Sequence, residues 1–445
     1  VIPIHRGRLG PKSSCQRLIR PRNPHLVRGR RLTCPSLASH KSAMNRFRRS
    51  LAHYVFASAL ALTLAGCASG PPESALQTVP TLPPGAKPVP LLVATMRKQA
   101  DNPPGLMFSG ERSRDINSAD ITISIPPNHQ TGQLEIGNDP QKAMAVIARD
   151  YISRKDFIAT VRTELAKRKH ADRDILVFIH GYNTRFDEAV FRFAQIVNDS
   201  NYKGVPVLFT WPSRGELLAY PYDRESTAYS RDDLEATLAD LARVPGLNQI
   251  DLMAHSMGNM LTMEVLRQAK IRGNPTFHGK LGYIMLAAPD IDIDVFRRQL
   301  SVYGRFAKPV TVFVSNDDKA LNVSRIVWGS EVRAGAFTTF DPETREKLKA
   351  LNINVIDLSD VKSSDKLNHA TFAASPEIVQ MIGSRLSAYD LDPRGASLTD
   401  KVGIFAGAVG RTVGTAAGLA VDVPLGVVGG VTQGVSQGVS TVTGQ

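Results

Sequence analysis

Between residues 175 and 314 the sequence alternates short, continuous apolar runs with segments in which apolar residues recur every three or four positions. Uninterrupted apolar runs are typical of strands buried on both faces of a parallel sheet, whereas the three-to-four spacing favours helices that pack against such a sheet. Because strands that alternate with helices form βαβ units, we predict an α/β fold with a mostly parallel, doubly wound sheet and helices on both faces. The predicted strands are 91–95, 121–125, 175–179, 205–211, 249–254, 281–287, 310–314 and 355–358, and the predicted helices are 150–169, 187–199, 231–243, 258–270 and one that begins near Pro376.

A serine stands between a predicted strand and a predicted helix, in the segment Ala254-His255-Ser256-Met257-Gly258. A sharp turn at such a place exposes the serine hydroxyl above the sheet and requires small residues two positions to either side. Gly258 meets this requirement, and Ala254 replaces the usual first glycine. We therefore predict that Ser256 is a nucleophile and that the backbone N–H of Met257 points at a developing oxyanion.

A second oxyanion donor is expected from the loop that follows an earlier strand. The segment His180-Gly181-Tyr182-Asn183 ends the buried run 175–179, and its placement makes the Tyr182 N–H the candidate. His180 itself is expected to be a structural histidine rather than a base.

A serine hydroxyl is a poor nucleophile without a base, and in this arrangement the base follows the serine and the acid along the chain. His369 follows the strand 355–358 and precedes the C-terminal helix, so it is the predicted base. His278 and His255 do not have the required order. Chemistry of this kind needs no metal and no organic cofactor.

Four carboxylates compete for the role of the acid that orients the base. Asp318 follows the strand 310–314 and is the predicted acid, with Asp317 directly beside it. Asp290 and Asp292 follow the preceding strand and are the fallback. Some of these residues are instead expected to cap helix N-termini.

Two further segments follow a strand end on the same side of the sheet. Trp211 and Arg214 are candidates for lining a pocket, in which the Arg214 guanidinium would bind a substrate carboxylate or phosphate. The charged residues of the next segment are expected to form a structural ion network; they are Asp223, Arg224 and Glu225.

Taken together, these stretches resemble a widespread bacterial family of α/β-hydrolases, over about residues 175–335. The resemblance implies the α/β-hydrolase fold, a Ser/Asp/His site and hydrolase activity, but it does not imply a substrate. It rests on the HGYN turn at 180–183, WPSRG at 211–215, YDRES at 222–226, AHSMGN at 254–259, AAPDID at 287–292 and the stretch 316–321.

The predicted function is that of a serine hydrolase acting on a carboxylic ester bond of a small-molecule or lipid substrate. One triad serves all acyl groups, so an amidase, peptidase or thioesterase remains an alternative. A second alternative is a non-catalytic envelope lipoprotein that uses the fold as a binding platform.

The segment from Met44 to Cys67 has the pattern of a bacterial lipoprotein signal peptide. Basic residues precede an apolar stretch, 54–64, that is too short to span a bilayer comfortably. The stretch ends in Leu-Ala-Gly-Cys, which resembles a lipobox, and Cys67 would become the lipid-modified first residue. An ordinary signal peptide or a short anchor helix is the alternative. We expect a lipid-anchored protein of the cell envelope facing the periplasm, and the absence of Asp after Cys67 favours the outer membrane.

The net charge of +13 would normally suggest binding to nucleic acid or to an anionic membrane. Residues 1–50, however, contain 13 Lys and Arg and no acidic residue, which leaves 41 basic residues against 41 acidic ones in the remainder. Nucleic-acid binding is therefore not expected. All three cysteines lie at or before Cys67, so the later part of the chain has no disulfide framework and no cysteine-based metal site.

The predicted domains follow from these patterns. Residues 1–43 are expected to be an upstream extension produced by the choice of start site, with a genuine basic extension as the alternative. Residues 44–66 form the signal peptide, 67–90 a proline-rich tether and 91–392 the hydrolase domain. Residues 393–445 are expected to be a glycine-rich, low-complexity tail, with contact to a membrane or a partner as the alternative.

Overall fold

A nine-stranded sheet is the centre of the part of the chain that the computed structural model describes, which comprises residues 75–100, 102–321, 333–336, 342–361, 365 and 369–387. The strand order is β3-β2-β1-β5-β4-β6-β7-β8-β9. Every neighbouring pair in the part β1-β5-β4-β6-β7-β8-β9 of this order is parallel. Strand β2 is antiparallel to both β1 and β3. The strands are β1 Lys87–Gln99, β2 Phe108–Ile125, β3 Ala145–Ile152, β4 Ile175–Ile179, β5 Val205–Thr210, β6 Ile250–His255, β7 Leu281–Ala287, β8 Val310–Val314 and β9 Ile353–Asp357.

Helices cover both faces of this sheet, so the predicted α/β architecture is confirmed. The helices among the described residues are α1 Arg154–Ala166, α2 Phe186–Asp199, α3 Tyr220–Tyr229, α4 Arg231–Ala242, α5 Met257–Ile271, α6 Ile293–Tyr303, α7 Pro342–Ala350, α8 Thr371–Ala374 and α9 Pro376–Ser387. The strands and helices predicted from the sequence are all present. Their ends differ by a few residues except in β2, which begins at Phe108 rather than at residue 121. The sequence pattern missed β3, α3, α6, α7 and α8.

Successive residues of the central strands belong alternately to two buried apolar clusters. Val177 on β4 and Leu252 on β6 belong to the cluster that packs against α1, α4, α5 and α6. Phe178 and Met253, their neighbours in sequence, belong to the other cluster, which packs against α2 and α9. Since successive strand residues point to opposite faces, each central strand is buried on both sides.

The folded domain begins before residue 91. Leu76 is fully buried, and the Val79 N–H donates to Val146 O at 2.8 Å. Strand β1 starts at Lys87, so the last part of the segment predicted as a tether is an element of the sheet. The predicted signal peptide, Cys67, the first part of the tether and the glycine-rich tail lie outside the described residues. None of the helices in the described ranges has both the length and the apolar character that a bilayer crossing requires.

The carboxyl ends of the parallel strands meet at one edge of the sheet, where ligands bind in folds of this kind. The β4–α2 loop (residues 180–185), the β5–α3 loop (211–219), Ser256 and the residues after β7 and β8 all lie at this edge. The sheet therefore brings the predicted site residues to a common border.

Candidate active site

Ser256 occupies a tight turn between strand and helix. Strand β6 ends at His255 and helix α5 begins at Met257, so the serine alone makes the connection. Its φ of 52° and ψ of −122° lie in a region that residues with a side chain rarely adopt, at a cost of about 1–3 kcal/mol. Hydrogen bonds hold the turn: the Ser256 N–H donates to Ala287 O at 2.9 Å, and the Asp290 N–H donates to Ser256 O at 3.2 Å. The side chain is 3% exposed.

The turn closes because small residues stand where the backbone approaches most closely. A methyl group added at Gly258 would meet the carbonyl oxygen of His180 and would lie 2.7 Å from that of Ile179. Helix α5 thus packs directly against the end of β4. This contact is the reason why the residue two positions after the serine must be small.

The β4–α2 loop lies against the serine. A methyl group added at Gly181, the residue before Tyr182, would be 2.8 Å from Cβ of Ser256. On the other side of the serine, Met257 is the first residue of α5, and N–H groups of a first helical turn have no acceptor within their own helix. Of the two residues predicted to supply oxyanion donors, Met257 therefore directly follows Ser256, and Tyr182 follows a glycine that packs against it.

His369 is hydrogen bonded to Asp318. The Nδ1 of His369 donates to Asp318 Oδ2 at 2.7 Å, and the Asp318 side chain is 0% exposed. The other carboxylate oxygen of Asp318 accepts the Leu321 N–H at 2.9 Å. Burial acts to lower the pKa of His369, but the charge and hydrogen bond of Asp318, with Asp290 and Asp365, outweigh it, and the pKa is raised above its ordinary value.

Contacts with the turn fix the position of His369. The His255 and His369 rings have centroids 4.7 Å apart, and His255 Nε2 donates to the carbonyl oxygen of His369 at 3.1 Å. The backbone N–H groups of His369 and Ala370 both donate to Asp365 Oδ2 at 2.6 Å. The histidine is therefore tied to the residue that directly precedes Ser256. The order of residues along the chain excludes His255 as a base and gives no sign of this supporting contact.

The other three candidate acids have other partners. Asp292 caps α6 by accepting the N–H groups of Asp294 and Val295, at 3.0 and 3.2 Å, as was expected of some of these carboxylates. Asp290 forms a buried ion pair with Arg333 at 3.1 Å and accepts the Tyr220 hydroxyl at 3.0 Å. Asp317 accepts the Ser315 hydroxyl. Of these four carboxylates, Asp318 is the one that hydrogen bonds to His369.

Trp211 belongs to the core rather than to a pocket, which corrects the prediction from sequence. Its side chain is 0% exposed, its indole N–H donates to His180 O at 2.9 Å, and its ring stacks on the His180 ring at 4.8 Å. Burial, followed by the charge of Arg97, lowers the pKa of His180 to about 3, so this histidine is neutral and structural. Arg214 is exposed, and its guanidinium lies 4.1 Å from the centroid of the Tyr222 ring.

Asp223 holds two loops instead of forming the ion network predicted with Arg224 and Glu225. Its Oδ2 accepts the Ser213 hydroxyl at 2.5 Å and the Asn183 N–H at 3.2 Å, and its Oδ1 accepts the Arg214 N–H at 2.9 Å. Within the described residues, no cluster of three or more His, Cys, Asp or Glu could hold a metal ion.

Comparison with known proteins places this site in a family. A family model described as an alpha/beta hydrolase of unknown function (DUF900) matches residues 156–385. That range spans Ser256, Asp318 and His369. No curated protein gives a significant match.

Solved structures with a similar fold include several hydrolases. An esterase from Pyrobaculum calidifontis is 12% identical, with 62% of this chain and 83% of that chain covered and a TM-score of 0.31. A putative cell surface hydrolase from Lactobacillus plantarum is 10% identical, with 53% and 97% covered and a TM-score of 0.30. A carboxylesterase from Bacillus subtilis is 10% identical, with 68% and 91% covered and a TM-score of 0.28.

Proposed function

Since this chain belongs to the DUF900 family of alpha/beta hydrolases, we propose that it is a serine hydrolase that cleaves carboxylic esters with Ser256, His369 and Asp318. The observation that carries the proposal is the hydrogen bond of 2.7 Å between His369 and the buried Asp318. His369 also contacts His255, which directly precedes a serine held in a strained turn. A protein that used the fold only for binding would have no need for the cost of that turn.

The reaction starts with attack of the Ser256 hydroxyl oxygen on the carbonyl carbon of the ester. As the new C–O bond forms, the hydroxyl proton passes to Nε2 of His369, and Asp318 stabilises the imidazolium through Nδ1. The negative charge on the former carbonyl oxygen is stabilised by the N–H groups of Met257 and Tyr182. The bond to the alcohol then breaks, and the alcohol leaves with the proton from Nε2.

The acyl group is now bound to Ser256, and water removes it by the same steps. His369 takes a proton from the water, whose oxygen attacks the acyl carbon. The acid is released when the bond to Ser256 breaks and the serine oxygen recovers the proton. Because the same residues serve each half of the reaction, loss of any one of them slows both halves.

A panel of p-nitrophenyl esters of increasing acyl length, with p-nitroanilides as the matched amides, tests this proposal. We expect the wild-type protein to hydrolyse at least one ester, and the Ser256→Ala variant to lose that activity. Ser301→Ala, an exposed serine on α6, is the matched control and should keep it. Hydrolysis by Ser256→Ala at the wild-type rate would disprove the proposal, and cleavage of the amides alone would make the protein an amidase.

We propose further that Cys67 carries the lipid that anchors the protein in the bacterial envelope. The support is the sequence Leu64-Ala65-Gly66-Cys67 after an apolar stretch preceded by arginines. In a bacterial host supplied with a palmitate analogue, the wild type and Cys34→Ser should become labelled and Cys67→Ser should not. Labelling of Cys67→Ser, or no labelling of any form, would contradict this proposal.

A further inference from the structure

An arginine side chain lies buried beneath the loops that carry the proposed oxyanion donor. Arg97 is 1% exposed, although charged side chains are almost never fully buried unless they are paired. Within the described ranges, no carboxylate lies at ion-pair distance from Arg97. Its burial therefore calls for an explanation in terms of the groups that it does contact.

The strand geometry explains how Arg97 reaches this place. In β1, Thr95 pairs with Thr210, the last residue of β5, so Arg97 extends beyond the carboxyl end of the neighbouring strand. The register with β2 shifts between Thr95 and Arg97, and such irregularities redirect side chains. The guanidinium is thereby brought to the edge of the sheet where the β4–α2 and β5–α3 loops begin.

The two terminal nitrogens of Arg97 donate to main-chain carbonyl groups, whereas its Nε has no hydrogen-bond partner among the described residues. Nη2 donates to Thr184 O at 2.7 Å, and Nη1 donates to Ser213 O at 2.7 Å and to Ser109 O at 3.3 Å. One planar guanidinium thus links the β4–α2 loop, the β5–α3 loop and the start of β2. A planar group with several donors in fixed directions is suited to such a task, whereas an ammonium is not.

Asp223 and Ser213 hold the same loop through its backbone N–H groups. It accepts the Asn183 N–H at 3.2 Å, and the Ser213 hydroxyl that it also binds accepts the Thr184 N–H at 3.1 Å. Asn183 has a φ of 54°, which residues other than glycine rarely adopt, so the turn needs such support. Asn183 is therefore held through its N–H by Asp223, and Thr184 is held through its N–H by Ser213 and through its carbonyl by Arg97.

From these contacts we infer that Arg97, supported by Asp223, is a positioning residue that sets the direction of the Tyr182 N–H in the oxyanion site. The inference rests on the proposed function, because it assigns Arg97 a part in that reaction. Gly181 lies against Ser256, Asn183 is held by Asp223, and Thr184 is held by Arg97 and Ser213, so the Tyr182 amide lies between two fixed points. A small displacement of such a donor lowers the rate of the chemical step more than it lowers substrate binding.

The test compares Arg97→Met and Arg97→Lys with Arg112→Met in the full chain, using p-nitrophenyl butyrate. Arg112 is a matched control because it also donates to a main-chain carbonyl, Tyr222 O at 3.3 Å, and to the Ser226 hydroxyl at 3.0 Å, but contacts neither loop residue 184 nor 213. We expect Arg97→Met to lower kcat by about 10- to 100-fold with KM changed less than about twofold. Arg97→Lys should recover only part of the loss, and Arg112→Met should keep wild-type kcat.

Amide hydrogen exchange of the peptide that covers residues 180–185 gives a second readout that does not depend on activity. Arg97→Met should exchange faster there than the wild type, and Arg112→Met should not. Wild-type kcat in Arg97→Met, or an equal loss of kcat in Arg112→Met, would overturn the inference. If Arg97→Met does not fold, Arg97→Lys decides: a fall in kcat at constant KM supports the inference, and unchanged kcat overturns it.

The outcomes separate this inference from the proposed function. If the wild type shows no hydrolysis that depends on Ser256, the proposed function fails. The exchange measurement then still decides whether Arg97 fixes the loop, and unchanged exchange in Arg97→Met would reject that role.

Discussion

The Asp318→Asn substitution removes one charge from the site while keeping the size of the side chain. In the wild type, Asp318 accepts the Leu321 N–H with one oxygen and the His369 Nδ1–H with the other, at 2.9 and 2.7 Å. An asparagine that keeps its oxygen on Leu321 turns its NH₂ group toward Nδ1. Because Nδ1 must then accept a hydrogen bond, the proton of the neutral imidazole moves to Nε2. A protonated Nε2 cannot take the proton of Ser256.

The expected loss follows from this change of tautomer. The same exchange in the well-characterised serine-protease triad lowers kcat by about 10⁴-fold, which corresponds to about 5.5 kcal/mol of barrier. For this protein we expect Asp318→Asn to lower kcat about 10³- to 10⁴-fold, since the carboxylate is just as fully buried. Asp317→Asn is the control and should stay within about threefold of the wild type.

The pH profile gives an independent check. The pKa of His369 is raised above 6.5, and this histidine must be neutral to act as a base. The kcat/KM of the wild type should therefore increase with pH, and the midpoint of the increase should lie above pH 6.5. Removal of the Asp318 charge should move that midpoint to lower pH. The assay is hydrolysis of p-nitrophenyl butyrate between about pH 5 and pH 9. A variant Asp318→Asn that keeps more than about a tenth of wild-type kcat would refute the assigned role of the carboxylate.

Three further changes test the packing and the buried charge. Gly258→Ala should lower the melting temperature by several degrees, because its methyl group would lie 2.7 Å from a carbonyl oxygen of β4. Gly181→Ala should lower kcat, since its methyl group would meet Ser256 at 2.8 Å. A variant with both the kcat and the melting temperature of the wild type would contradict the close approach. Burial raises the pKa of Asp251 to about 7, so the folded state holds a proton that the unfolded state has lost, and the free energy of unfolding should fall between about pH 4 and pH 7. Urea midpoints at several pH values should show a smaller fall in Asp251→Asn than in the wild type.

The sheet could be predicted from the sequence because its central strands are buried on both faces. Strand β4, Ile175–Ile179, is apolar at every position, and its ends were predicted without error. Strand β3, Ala145–Ile152, lies at the edge and is largely accessible, so its sequence is mixed and was not recognised. Helix α3 was missed for a related reason: it buries Asp223, Ser226 and Thr227, polar residues that give no apolar stripe.

The candidate site could be predicted as a set of residues but not as a set of contacts. Asp290, Asp292, Asp317 and Asp318 all follow strand ends, and only the fold shows that Asp318 is the one hydrogen bonded to His369. A residue just after a strand can also point toward solvent or into the core, and the sequence does not distinguish the two for Trp211.

Arg97 was not considered, because arginine is normally exposed and nothing in its neighbours in the sequence indicates burial. Its one signal is its position: it follows the apolar run 91–95 at the carboxyl end of a strand beside the site. An arginine at that place in a strand is worth examining as a residue that holds the active-site loops.

The identity of the nucleophile is tested most directly by mass spectrometry of the protein after reaction with a fluorophosphonate. We expect a single phosphonyl adduct, and tandem spectra of the peptide should place it on Ser256. The His369→Ala variant should form the adduct far more slowly, because the hydroxyl then lacks its base. An adduct on another residue, or none on a protein that hydrolyses esters, would contradict the role assigned to Ser256.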